Sequence, residues 1–221
     1  FPRTESGRYY AFNSTKGNLI ANMCLASRKD FRNAVVAARK VQESWANTSA
    51  LNKGQILYRV AEMLEGRKEQ FISELSAQGE TTKSAREEVE VSIDRLIYYA
   101  GWSDKYQQIF GSVNPVVSSH FNFSVLESVG VISIIEPENK SLLSLITLIA
   151  PAIVGGNTVI VLASESKPLS SISFAEVLNS SDVPGGVVNI LTGKKLELYS
   201  HMASHMDVNS IIYCGDDEKI I

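Results

Sequence analysis

Residues 129–193 hold three β-branched runs, at 129–135, 158–162 and 187–192, each short enough for one strand and separated by helix-length segments. Strand, helix and strand repeated at this spacing form a βαβαβ unit, because parallel neighbours need a long crossover connection. The first crossover, 142–153, is almost wholly apolar and leads into Gly155-Gly156, a helix stop placed directly before the next strand. Strands that are apolar on both faces belong to a parallel sheet covered by helices on each side. Such open sheets bind ligands beyond the carboxyl ends of their strands. The loops beginning at Pro137, Ala163 and Gly193 are therefore where chemistry is expected.

The flanking segments supply the covering layers. Residues 1–30 read as an extended arm and two short strands around a turn at 13–17. Ser27 with Asp30 three residues on is a capping-box start for a helix burying Phe31, Ala34, Val35, Ala38, Val41 and Trp45. A second helix is expected from about Asn52, with an apolar face running from Ile56 to Leu75. A third is expected over 83–108. The charged residues of the second helix, Glu62, Glu65, Arg67, Lys68 and Glu69, read as a solvated face, and in the third the carboxylates Glu87, Glu88, Glu90 and Asp94 have a spacing that could ligate a metal but lack the clustered histidine that would favour one. Residues 112–127 read as a hairpin turning near Ser119-His120, whose strand Asn122-Phe123-Ser124-Val125 offers an edge for pairing. A short helix at 196–205, a strand at 210–214 and a turn at Gly215 follow.

Composition narrows the function classes. The net charge of −3 and dispersed basic residues give no attraction to nucleic acid. The longest apolar run, 142–154, is too short to span a bilayer. No apolar signal segment follows Phe1, which stands where an initiator Met is expected, so the native start is expected upstream. Cys24 and Cys214 lie far apart with no metal-ligand spacing, which fits buried thiols in a reducing, cytoplasmic setting.

Several motifs add what pattern alone does not. Pro137-Glu138-Asn139, Gly156-Asn157-Thr158-Val159, Gly186-Val187-Val188-Asn189, Thr192-Gly193 and the upstream stretch Tyr98 to Lys105 stand in one order and spacing. Together they resemble the N-terminal, cofactor-binding part of the aldehyde dehydrogenase superfamily, over nearly the whole chain. The resemblance implies an α/β fold: a Rossmann-like parallel sheet with an N-terminal helical layer and a β-hairpin oligomerisation arm. It divides the chain into an arm and helical part at 1–111, the hairpin at 112–128 and a Rossmann-like core at 129–221, expected to stop short of the catalytic domain. The partner it implies is a second copy of the chain or another aldehyde dehydrogenase domain, docked through the hairpin.

Aldehyde oxidation needs a thiolate nucleophile, donors for the oxyanion, a nicotinamide and a base for water. Asn139 matches the family residue whose amide donates to the oxyanion, and it also reads as a cap for a helix starting at Lys140. In the family the nucleophilic Cys and the base Glu lie beyond the last aligned residue, and neither Cys24 nor Cys214 matches them. NAD or NADP is the implied cofactor, with Ile135, Pro137, Glu138, Glu165, Gly186, Gly215 and Asp216 at its site.

Three departures from the family pattern fall on that site. Leu162 stands where an ammonium usually meets the adenosine ribose, with Lys167 nearby but out of register. Glu138 replaces a Trp. The turn that faces pyrophosphate carries Asp216, Asp217 and Glu218, and Ile220 replaces its second glycine. A like-charge contact at about 5 Å costs about 3 kcal/mol at an effective dielectric near 20. These changes imply a non-catalytic, pseudoenzyme-like domain with a structural or oligomerisation role and weakened dinucleotide binding. They resemble the second domain of family-16 aldehyde dehydrogenases. The alternative is the cofactor-binding half of an active enzyme whose Cys and Glu lie beyond Ile221.

Overall fold

The computed structural model describes residues 4–14 and 17–215. In chain order the elements are β1 (Tyr9–Asn13), β2 (Leu19–Cys24), α1 (Arg28–Ala46), α2 (Ala50–Gly66), α3 (Lys68–Ala77), α4 (Thr82–Trp102), α5 (Tyr106–Phe110), β3 (Ser112–Asn114), β4 (Asn122–Ser124), β5 (Val131–Ile135), α6 (Ser141–Val154), β6 (Thr158–Leu162), α7 (Leu169–Asn179), β7 (Val188–Leu191), α8 (Lys195–Ser204) and β8 (Ser210–Tyr213).

The expected parallel sheet is present, in the order β7-β6-β5-β8. Strand order reverses between β5 and β8, which opens a crevice beyond the carboxyl ends of the strands. Every residue of β5 and β6 is buried, as strands covered on both faces require. Alternation sorts them: Val131, Ile135, Ile160 and Leu162 pack with Phe31, Val35 and Ala38 of α1 and Leu198 and Met202 of α8. Ile132, Ile134, Val159 and Val161 face the other way, into a core shared with α6, α7 and the α2–α4 layer. α1 thus supplies part of the cover of the sheet.

The local signals hold where side chains decide them. Ser27 N–H donates to Asp30 Oδ2 at 2.7 Å, and Gly155 and Gly156 (φ +80°) end α6. Two expected helices are each broken. The second starts at Ala50 behind the cap Ser49 and stops at Gly66-Arg67, where Arg67 leaves helical geometry (φ −109°, ψ +13°) and α3 begins. The third ends at Trp102, and α5 begins after a turn at 103–105. Apolar periodicity continues across both breaks, so it conceals them.

The hairpin is present but shorter than expected, with three residues per strand and a wide loop between. Its apolar residues are open to solvent on one face, with Val113, Phe121, Phe123 and Val125 all exposed. Gln107 anchors its base, donating from Nε2 to Leu126 O at 2.7 Å and accepting Leu126 N–H at 3.1 Å.

Candidate functional site

At the carboxyl end of β5 the chain runs Ile135-Glu136-Pro137-Glu138-Asn139. Ile135 is buried against the α1 and α8 side chains, and the alternation turns Glu136 toward the α7 side. Glu136 is fully buried. Its Oε2 accepts Ser164 N–H at 3.1 Å and Ser171 Oγ–H at 3.4 Å, while Oε1 has no partner. Burial pushes this carboxyl up to about 8, two donors and Lys195 only partly offset it, and the Glu138 charge adds to the rise.

Glu138, two residues on, behaves in the opposite way. Burial alone would raise it, but hydrogen bonds from Lys195, Ser164 and Ser166 hold it down at about 2. Its Oε2 accepts Ser164 Oγ at 2.5 Å, Ser166 Oγ at 2.6 Å and Ser166 N–H at 3.0 Å, and its Oε1 accepts Glu165 N–H at 3.2 Å. Lys195 Nζ lies 2.5 Å from Oε1. One carboxylate thus ties the loop after β5 to the loop after β6 and to the start of α8. Glu165 closes the same corner, accepting Lys195 N–H and pairing with Lys194 Nζ at 3.3 Å. The N-terminal hairpin rims it: Lys194 Nζ sits 5.4 Å from the Tyr10 ring centre, and Tyr10 is pushed up to about 12 by burial and by Glu165 and Glu138.

The sequence-predicted site residues divide. Pro137, Glu138, Asn139 and Glu165 meet at the crevice. Asn139 is exposed, and its amide has no hydrogen-bond partner among the described residues. It does not cap α6, because Lys140 takes the cap position in left-handed geometry (φ +54°) and the helix starts at Ser141. The cap comes instead from α4: Glu88 Oε1 accepts Leu142 N–H at 3.0 Å and Leu143 N–H at 3.3 Å. Glu88 is therefore a buried helix cap.

Gly186 is not at the crevice. It precedes β7, at the amino end of the sheet, where a Cβ would stand 2.7 Å from Ala37 O of α1, and its φ is +96°. Its role in the structure is packing. Gly215 follows β8, whose Tyr213 pairs in register with Ile135. Asp216, Asp217, Glu218 and Ile220 lie outside the described residues. No group of three or more His, Cys, Asp or Glu side chains able to hold a metal occurs among the described residues.

Leu162 and Lys167 settle the ammonium question locally. Leu162 is fully buried in the core beneath α1, and Lys167 turns away to pair with Glu80 at 2.6 Å. The ammonium groups that reach the crevice are Lys195, engaged by Glu138, and Lys194, engaged by Glu165. A dinucleotide needs donors for its pyrophosphate and ribose; of those gathered here, Ser164, Ser166 and Lys195 are engaged by Glu138 and Lys194 by Glu165, while the Asn139 amide is exposed. Sequence reasoning missed Ser164, Ser166, Lys194 and Lys195; the Gly193 loop it marked for chemistry was the available signal.

The aldehyde dehydrogenase family model matches residues 1–219. Among known relatives, cytosolic 10-formyltetrahydrofolate dehydrogenase of Pongo abelii is 34% identical over 218 residues, covering 95% of this chain and 24% of its own. Omega-crystallin of Enteroctopus dofleini is 31% identical over 224 residues, covering 99% and 44%. The chain thus spans less than half the length of these relatives. Among solved structures, a putative aldehyde dehydrogenase from Burkholderia cenocepacia superposes with a TM-score of 0.92 at 28% identity, over 96% of this chain and 44% of that one. An NAD+ complex of aldehyde dehydrogenase from Bacillus cereus superposes at 0.90 and 26% identity, over 96% and 43%. No helix among the described residues is long and apolar enough to cross a membrane. With the parallel sheet, its crevice and the motifs at the strand ends accounted for, the chain belongs to the aldehyde dehydrogenase family.

Proposed function

We propose that this chain is a non-catalytic aldehyde dehydrogenase domain with weakened dinucleotide binding and a structural or oligomerisation role. The observation that carries this is Glu138, an internal carboxylate that engages Ser164, Ser166 and Lys195 of the crevice. The departures at Glu138, Leu162 and Asp216 support reading it as the second domain of a family-16 aldehyde dehydrogenase in a cytoplasmic protein. Its exposed hairpin docks on a second copy or on a catalytic aldehyde dehydrogenase domain, and the row Val113, Phe121, Phe123 and Val125 gives that contact its apolar surface. Calorimetric titration with NAD tests the crevice. The unmodified chain binds weakly, and Glu138→Ala, which frees Lys195 and two serine hydroxyls, tightens binding by about tenfold or more. Micromolar affinity in the unmodified chain overturns the proposal.

A further inference from the structure

On the face of the α1 and α8 layer lies a cavity of about 290 Å3. Two pairs of basic residues line it: Arg28 and Arg32, one helical turn apart on α1, and His201 of α8 with His205, the extended residue that follows α8. Neither arginine has a carboxylate partner among the described residues, whereas Arg8, Arg59, Arg67 and Arg86 each have one. No acid lines the cavity, and Asp207, one residue beyond its rim at Met206, is not among the lining residues. His205 Nδ1 accepts Asp207 N–H at 3.2 Å, which leaves Nε2 as its donor nitrogen. Phe31 forms an apolar wall, edge-on to the His205 ring at 5.7 Å.

A cavity offering guanidinium and imidazole donors, no acid and an aromatic wall is complementary to an anion carried on an apolar body. Its volume exceeds what an inorganic anion alone fills. We propose that this cavity binds small organic phosphate monoesters, the phosphate held by Arg28 and Arg32 with His205 as a further donor and the organic part lying toward Phe31 and Met206. The site is separate from the crevice residues and does not depend on the reading given for them.

The test is a calorimetric titration of the intact chain with phenyl phosphate at an ionic strength of about 20 mM, where screening is weak over the width of the cavity. Saturable binding is expected, weakened by about tenfold or more in the Arg28→Gln, Arg32→Gln double variant. Both positions are exposed on α1, and circular dichroism verifies that the variant is folded. An Arg59→Gln, Arg86→Gln double variant, which removes the same charge elsewhere, keeps the affinity. Absence of saturation, equal weakening in the control variant, or inorganic phosphate binding as tightly as phenyl phosphate each overturns the proposal.

Discussion

The two ends of the parallel sheet are closed by different physics. At the amino end, backbone meets backbone: Gly186 abuts Ala37 O, and a Cβ on Gly156 would lie 3.2 Å from Ala46 Cα. At the carboxyl end, charge meets charge: Glu138 and Glu165 engage Lys194, Lys195 and the serines of the β6 loop. At the steric end, volume added at Gly186 meets backbone. The charged end tolerates volume but depends on protonation, and it lies where the fold places a ligand.

The sharpest way to break that contrast is Gly186→Val. A side chain there is strained at positive φ and overlaps a carbonyl of α1, so a loss of roughly 2–5 kcal/mol is expected. Urea denaturation at pH 5 and pH 8 checks it, and the loss should be equal at both.

Glu136→Gln gives the opposite pattern. A carboxyl raised from 4.5 to about 8 in the folded state stabilises the fold fully below the unfolded value, and that contribution is lost as pH rises through 8. The ceiling is roughly 5 kcal/mol, and water reaching the buried charge brings the expected change to roughly 2–3. The glutamine variant should match the parent near pH 4.5, exceed it at pH 8 and show a flatter profile between them. Parallel profiles would show that Glu136 does not titrate in this range.

Glu138 has the reverse sign. Its carboxyl is held down at about 2, so its contribution is present above pH 4.5 and lost as pH falls toward 2. Glu138→Ala is expected to cost about 1–2 kcal/mol at pH 7, less than a fully buried charged contact because the side chain is part-exposed. Thermal unfolding of both proteins at pH 7 and pH 3 decides it, since the gap should narrow at the acid end.

The smallest effect on folding belongs to the hairpin. Phe123→Ser sits on an exposed strand remote from the sheet, and a change within about 0.5 kcal/mol is expected. If the hairpin is the contact surface, light scattering should nevertheless show a lower mass for this variant.

Much of this was legible in the residues themselves. The β-branched runs located β5, β6 and β7, the Ser27 and Asp30 pair located the start of α1, and the Gly155-Gly156 stop ended α6 where expected. These succeed because period, caps and glycine geometry are properties of a few consecutive residues. The breaks at Gly66-Arg67 and 103–105 escaped because packing rewards the same apolar face on either side of a kink.

The site was legible by position and illegible by partner. Sequence marked the loops after 136, 162 and 192 and the substitution at Glu138, because strand ends and motif departures are one-dimensional. It did not identify Lys195 as the partner of Glu138, Glu88 as the cap of α6, or Gly186 as a packing residue at the far end. The separations are 57 residues for the first pair and 54 for the second, and nothing local encodes such a meeting. A carboxylate becomes a cap, a latch or a buried acid according to which donors the fold brings to it. The amino-acid sequence determined that a parallel sheet would form and where its loops would lie; tertiary structure alone decided that Glu136 would be protonated and Glu138 charged, because desolvation and hydrogen bonding are set by neighbours distant in the chain.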